Sequence, residues 1–299
     1  MHEVNCLHTK ANPVIAIGMP IWNCEDTVGK SIQSIMDQDF TNWCLLISDN
    51  HSSDSTFEIA QRFADSDDRI TLVRQSRNIG GWQNFQYVLN NSNRRYFKFH
   101  AGDDVLSPNY LTECIDLLER DSNFVGACTP DGWDWEVQKN LKVNDFSFTG
   151  AQSERLAALC AKCWRANGVF YGVFRKYEFE EATSSDIFLS QLHILDWLIL
   201  ARLLKVGGIA RTSNALMTLG SKGASNTDPL QWYKQLDGTR NKAFPYQSFY
   251  RLFVKGSQKI EIRTKIEVRK WLLLLYFNHY KGLFRLKLSI LFGDIDSPR

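Results

Sequence analysis

The sequence predicts an α/β fold, with a mostly parallel central sheet covered by helices on both faces and a helical extension at the C-terminus. Three observations predict it. The first 130 residues alternate short apolar runs with segments of helical periodicity. The apolar runs are only four to six residues long, as strands buried on both faces tend to be. After Pro229 the pattern is helical, broken only near Pro245 and Gly256.

The strand candidates are Val14–Met19, Cys44–Ser48, Ile70–Val73, Tyr96–Phe99 and Val125–Cys128. Asp26 or Thr27 can cap a helix reaching Met36, and Asp54 or Ser55 can cap Phe57–Ala64. Gly81 precedes a helix over Trp82–Asn91, and Pro108 stands where one reaching Glu119 would begin. A sheet of this kind binds ligands at the carboxyl ends of its strands. The polar clusters 49–54, 77–81 and 102–104 come directly after three of the strand candidates, so they mark the expected site. Beyond Asp131, Ser153–Arg165 reads as helix, Val169–Arg175 as strand and His193–Val206 as a helix stopped by two glycines. Ile209–Leu219 can supply one or two further strands, and 220–229 reads as a loop by composition.

A chain of 299 residues with 44% hydrophobic and 23% charged residues excludes disorder and collagen-like repeats. The net charge of +2 is a cancellation. Residues 255–299 carry +6 and residues 1–254 carry −4, so a slightly acidic body precedes a basic end. The first residues lack the apolar core of a signal peptide, and the longest apolar run, Trp271–Phe277, is too short to cross a membrane, so a cytoplasmic location is expected. Seven cysteines fit reduced thiols better than a disulfide framework. Cys160 and Cys163 form a CxxC with no second pair, within a segment that reads as helix.

The first strand ends in Met19-Pro20-Ile21-Trp22-Asn23, without the glycines that a dinucleotide-binding turn needs, and no Walker loop is present. The strands run instead into carboxylates. Carboxylates repel a diphosphate unless a divalent cation lies between them, so Asp103 and Asp104 point to a metal or to hydroxyl groups. The alternative is a plain turn and helix cap before Pro108.

The succession VIAIGMPIWN, LLISDNHSSDST, RNIGGWQN, FKFHAGDDVLSPNYL and DWLILARLLKVGGIA resembles the inverting family 2 glycosyltransferases, which have the Rossmann-like GT-A fold of nucleotide-diphospho-sugar transferases. The resemblance runs over roughly residues 13–225. It implies a catalytic domain over 1–225, with a nucleotide-sugar half at 13–130 and an acceptor half at 131–225. Residues 226–299 would form the basic helical extension.

On that resemblance Pro20, Trp22 and Glu25 occupy the first nucleotide-binding loop, with Trp22 offering a stacking face to the base. Asp49 would accept the N3–H of uracil or thymine, a donor that cytosine lacks. Ser52, Asp54 and Thr56 match a turn and helix cap; Asn78 and Gly80 match a turn near the nucleotide, and Asn84 would order the same loop. Asp103 would face the ribose and, with Asp104, hold Mg²⁺ or Mn²⁺ at the diphosphate. Here the sequence departs from the DxDD form, because Ala101 stands where the first carboxylate would be. Lys222 is the one cation near the place where relatives carry a basic pair, and is either a phosphate contact or a solvated loop lysine.

The family's general base maps to Asp196, with Leu195 replacing the usual preceding acid. Asp196 could instead cap its helix beside Arg202, and His193 is a rival base. Tyr171, Gly172 and Arg175 match a segment lining the acceptor side. Trp133 and Trp135 can stack on sugar or simply pack in the core. The implied reaction is inverting transfer from a UDP- or dTDP-sugar to a saccharide or lipid-linked saccharide. A sugar nucleotidyltransferase would need a glycine- and basic-rich first loop, which is missing; a noncatalytic nucleotide-sugar-binding or scaffold protein remains open. The basic stretch 259–292 fits a helical pair packed on the catalytic domain or peripheral contact with the inner face of a membrane; no nucleic-acid motif is present.

Overall fold

The computed structural model describes residues 14–134, 137, 143–183, 195–221, 262, 265–266, 268–274 and 277. Its first half alternates strands and helices. β1 (Ile15–Ile21), α1 (Val28–Met36), β2 (Trp43–Asp49), α2 (Thr56–Ser66), β3 (Ile70–Arg74), α3 (Gly81–Asn90) and β4 (Tyr96–Phe99) follow one another, then β5 (Val105–Leu106), α4 (Tyr110–Arg120) and β6 (Phe124–Cys128). The strands match the apolar runs of the sequence, extended by up to two residues at their ends. The second half adds β7 (Asp131–Trp133), α5 (Gln152–Lys162), a 3₁₀ turn over Cys163–Arg165, α6 (Asn167–Phe170), β8 (Val173–Arg175), α7 (Lys176–Ala182), α8 (Leu195–Val206), β9 (Gly208–Arg211) and β10 (Met217–Leu219).

Seven strands form one sheet in the order β3-β2-β1-β4-β8-β6-β9. Only β8 runs antiparallel to its neighbours, β4 and β6. The sheet is therefore mostly parallel, and β8 and β9 join it to the strands of the first 130 residues without a break. The expected strand over Val169–Arg175 is half wrong. Its first part forms the short helix α6, and only Val173–Arg175 pairs, because Gly172 brings the chain so close to the carbonyls of Ala127 and Val169 that a side chain there would collide with them.

Period-2 alternation assigns each strand residue to a face. Ile15, Ile17, Leu45, Ile47 and Tyr96 pack on one side with α1 and α4 residues such as Ile32, Tyr110 and Cys114. Ala16, Leu46, Phe97 and Phe99 pack on the other with Val88 of α3, Phe170, Phe179 and the buried face of α8. Each fully buried large apolar side chain contributes about 1.5–3 kcal/mol, so the two layers fix the strand registers firmly. Cys163 lies in the second layer and Cys160 at its margin.

A second sheet, β5-β10-β7, stands apart from the main one. It joins the segment after Asp104 to the start of the 130s and to the chain just before Gly220. Among the described C-terminal residues, Val268, Trp271 and Leu272 are buried in the core layer of α8, with Trp271 and Trp197 ring centroids 6.0 Å apart. The expected boundary at 225/226 falls outside the described residues.

Candidate active site

The loops after β1 and β2 are built on each other. Asn23 donates its N–H to Ser52 Oγ (3.0 Å) and accepts from the N–H of Ser53 (2.9 Å). Cys24 donates to Thr56 Oγ1 (2.7 Å). Glu25 is tied to the second loop twice, since Ser55 N–H donates to Glu25 Oε2 (2.9 Å) and Glu25 N–H donates to Asp54 Oδ2 (3.3 Å). Glu25 therefore acts within the platform. Asn23 and His51 are the non-glycine residues of positive φ (46° and 61°) among the described residues, one in each loop. Trp22, by contrast, is 55% exposed at the tip of this platform. Pro20 lies beyond the last pairing of β1 with β4 at Gly18, where its missing N–H costs no ladder bond on that side.

Asp49 ends β2, is fully buried, and accepts the N–H of Ser52 at 3.2 Å. Arg74 at the end of β3 pairs with it at 3.4 Å and donates to Ser52 O at 2.8 Å. Asn50 then links this strand end to the 78–80 turn: its Nδ2 donates to Asn78 Oδ1 (3.1 Å) and its Oδ1 accepts from Ile79 (2.8 Å). Gly80 has φ 95°, which only glycine adopts without strain, and its N–H donates to Asn78 Oδ1. Asn84, buried, both accepts from Ser48 Oγ (2.6 Å) and donates to Ser48 O (2.8 Å). Asp49, Asn78 and Gly80 are thus one connected unit.

Asp103 and Asp104 follow β4 on a turn packed against the first loop, where a side chain at Gly102 would strike Cys24 Sγ. Asp104 is buried. Its Oδ1 accepts the N–H of Gly220 at 2.9 Å, while Oδ2 is buried with no hydrogen-bond partner among the described residues. Burial first, and Asp103 second, push the Asp104 carboxyl well above the ordinary range. A buried carboxylate oxygen without a partner, beside a second carboxylate, fits a hard divalent cation. Among the described residues no third acidic, His or Cys side chain joins them in a metal-holding group.

Asp196 lies in the first turn of α8 and is partly buried. Desolvation pushes its carboxyl up to about 7, against the lowering effect of the backbone N–H groups of Trp197 and of Asp196 itself. Leu195, just before it, points into the core. Tyr171 joins the two halves. Its phenol is held far above its usual range by burial and then by Asp104, Asp103 and Asp196, so all three carboxylates act on this one ring.

Arg175 does not join them. It sits at the opposite end of the sheet, donating to the carbonyls of Leu118 (2.6 Å), Phe124 (2.9 Å) and Asp121 (3.4 Å), where it caps the end of α4. A strand three residues long carries Val173 near the site and Arg175 away from it, so the expected acceptor contact is replaced by a capping role. Gly172 serves close packing. Trp133 is partly buried against the core. Lys222, His193 and Trp135 lie outside the described residues.

Sequence reasoning missed four contributors. Asn50 gave no signal beyond lying in the 49–54 polar cluster, and Arg74 gave none. Gly220, whose N–H holds Asp104 and where any side chain would strike Asp103, lies in a stretch that composition marks only as loop. Lys98 had a signal, a charge in the middle of the buried run Tyr96–Phe99.

The interlocked loops and the buried acidic turn stand at the carboxyl ends of a mostly parallel sheet, where a sheet of this kind binds its ligands. A sequence model of glycosyl transferase family 2 matches residues 16–177, and the chain belongs to that family. The provisionally assigned glycosyltransferase EpsE of Bacillus subtilis is 31% identical over 115 residues, 38% of this chain and 41% of that protein. WfgD of Escherichia coli, a UDP-Glc:α-D-GlcNAc-diphosphoundecaprenol β-1,3-glucosyltransferase, is 30% identical over 105 residues, 35% of this chain and 41% of its own. These matches span less than half of either relative. The fold is shared with Staphylococcus aureus TarS 1-349, with a TM-score of 0.61 at 12% identity over 94% of this chain and 76% of that one. It is also shared with the Pyrobaculum calidifontis mannosyltransferase PcManGT, solved with GDP-Man and Mn²⁺, at 0.58 and 13% over 97% and 78%.

Proposed function

We propose that the chain is an inverting glycosyltransferase that moves a sugar from a UDP- or dTDP-sugar to a saccharide or lipid-linked saccharide. The observation that carries the reading is the turn after β4, where buried Asp104 stands next to Asp103 and keeps an Oδ2 with no hydrogen-bond partner among the described residues. Trp22 stacks on the base, and Asp49, held by Arg74 and Ser52, accepts the N3–H. Asp103 and Asp104 would hold Mg²⁺ or Mn²⁺, which when bound would supply positive charge to neutralise the departing diphosphate. Asp196 takes the proton of the acceptor hydroxyl as its oxygen bonds the anomeric carbon, and the carbon–oxygen bond to the diphosphate breaks on the opposite face with its electron pair. A lipid-linked acceptor is supported by WfgD and by a Campylobacter jejuni relative, 27% identical over 169 residues, whose name specifies a diphosphate-undecaprenol saccharide.

The test is a thermal-shift screen of nucleotide sugars with and without Mn²⁺, followed by a transfer assay. Stabilisation by UDP or dTDP together with sugar transfer is expected. Binding without transfer would leave a noncatalytic nucleotide-sugar-binding protein, and no stabilisation by any uridine or thymidine diphosphate would end the donor assignment.

The C-terminal helix supports peripheral membrane contact as part of this reading. Leu273, Leu274 and Phe277 are exposed beside the cations Arg269 and Lys270, and Ile262 and Ile266 are exposed near Lys265. No helix among the described residues is long and apolar enough to cross a membrane. Cosedimentation with anionic vesicles at low salt is expected. Failure of the full chain to bind them would end this part of the proposal.

A further inference from the structure

β4 carries a charge that sheet formation does not require. Lys98 stands between Phe97 and Phe99 in a strand with no exposed residue, and is itself wholly buried. Burying an ammonium costs several kcal/mol unless its hydrogen bonds are made, so its partners define its role. Nζ donates to the carbonyl of Tyr171 at 2.6 Å and to that of Phe99 at 3.1 Å. It also lies 4.8 Å from the centre of the Tyr110 ring, and the Tyr110 hydroxyl donates to the same Tyr171 carbonyl at 3.1 Å. Two donors, one from β4 and one from α4, therefore meet on one main-chain oxygen.

That oxygen belongs to the residue on which the three site carboxylates act. Tyr171 ends α6, and α6 packs against α8, whose first turn carries Asp196. Asp104, only six residues along the chain from Lys98, is also the charge that acts on it most strongly. The ammonium thus connects the strand leading to the Asp103–Asp104 turn with the helix end that packs against the Asp196 helix.

We propose that Lys98 is a positioning residue for the transfer step, fixing Tyr171 and with it the spacing between the donor turn and Asp196. The inference rests on the glycosyltransferase reading above. With Lys98 gone, the Tyr171 carbonyl is held by Tyr110 alone, and a shift of about 1 Å in the reacting groups costs on the order of 100-fold in rate.

Lys176 supplies the comparison. It too is buried and bonds a carbonyl, Leu89 O at 2.8 Å, but it lies at the other end of β4 beside Arg95, away from the site. The experiment measures kcat, donor KM, UDP affinity and melting temperature for Lys98→Met, Tyr110→Phe and Lys176→Met. For Lys98→Met, kcat is expected to fall about 10- to 100-fold while donor KM and UDP affinity stay within about threefold. Tyr110→Phe should change kcat in the same direction by less, and Lys176→Met should lose stability without losing kcat. A Lys98→Met enzyme that only melts earlier, as Lys176→Met does, overturns the inference; so does a raised donor KM at unchanged kcat. Should Lys98→Met fail to fold, Tyr110→Phe decides, since it removes one hydroxyl: unchanged kcat overturns the proposal and a lowered kcat at unchanged donor KM supports it. A wild-type chain that neither binds nor turns over any uridine or thymidine diphospho-sugar sinks the glycosyltransferase reading first, and this inference with it.

Discussion

Replacing Asp196 by Asn separates the chemical step from everything that precedes it. The carboxyl sits in the first turn of α8, where burial raises it from 3.8 to about 7. A base of that pKa is about half ionised at neutral pH, about one-tenth ionised a unit lower and about one-hundredth two units lower. The transfer rate of the wild type should therefore be flat above about pH 7 and fall roughly tenfold per unit below it. Asp196→Asn should lower kcat about 100- to 10,000-fold, the usual worth of a positioned base, and abolish that limb of the profile. Donor binding should survive, because Trp22, Asp49 and the Asp103–Asp104 turn are untouched. Stability gives an independent reading. The folded pKa lies above the unfolded one, so the native state binds the extra proton between about pH 4 and 7, and this group's contribution falls as pH rises through that window. The Asn variant lacks that slope and should be at least as stable as wild type at pH 8. The assays are initial rates against pH at saturating donor, UDP titration calorimetry and thermal melts at several pH values. Near-normal transfer by Asp196→Asn, or a variant that loses UDP affinity as fast as it loses rate, would refute the assignment.

Three further perturbations test the rest of the site. Trp22→Ala removes an exposed ring and should weaken UDP by about 1–3 kcal/mol in calorimetry with no change in melting temperature, whereas a ring buried for stability would show the reverse. Gly220→Ala places a methyl group against the Asp103 carboxyl and carbonyl, and should cost about 1–3 kcal/mol of stability and weaken Mn²⁺-dependent UDP binding together; an unaffected Mn²⁺ titration would mean that the turn is not held by this contact. Arg175→Met should cost about 2–3 kcal/mol of stability while leaving acceptor KM unchanged, and a raised acceptor KM with normal stability would restore it to the acceptor pocket.

The donor side was legible because it is written in local spacing. Each strand is a short apolar run and each loop begins with residues that cap or turn, so Asp49, Asn78, Gly80, Asp103 and Asp104 fall at strand ends by sequence position alone. The acceptor side depends on contacts far apart in the chain. Arg175 lies three residues beyond Gly172, and nothing in that spacing says that the strand between them carries it to the far end of the sheet. Gly220 meets Asp104 across more than a hundred residues because β10 pairs with β5, a pairing two residues long that no periodicity announces. The Leu195 departure has a plain physical reason, since that position faces the core in α8 and an acid there would be buried.

The candidate site holds several local costs. Asn23 and His51 adopt left-handed conformations, Asp104 keeps a buried oxygen without a partner among the described residues, and Asp196 carries a raised pKa. Each such feature is worth on the order of 1–3 kcal/mol and persists only where its surroundings over-determine it. Asn23 is fixed from both sides by Ser52 and Ser53, so the first loop cannot relax independently of the second, and Trp22 stays outside the core. The expense at Asp104 differs in kind, because no residue described around it can remove it. A divalent cation bound there with a diphosphate would supply a partner for Oδ2 and would favour the ionised form that burial opposes. If the proposed donor and cation bind at these loops, the two together should stabilise the chain more than the sum of either alone.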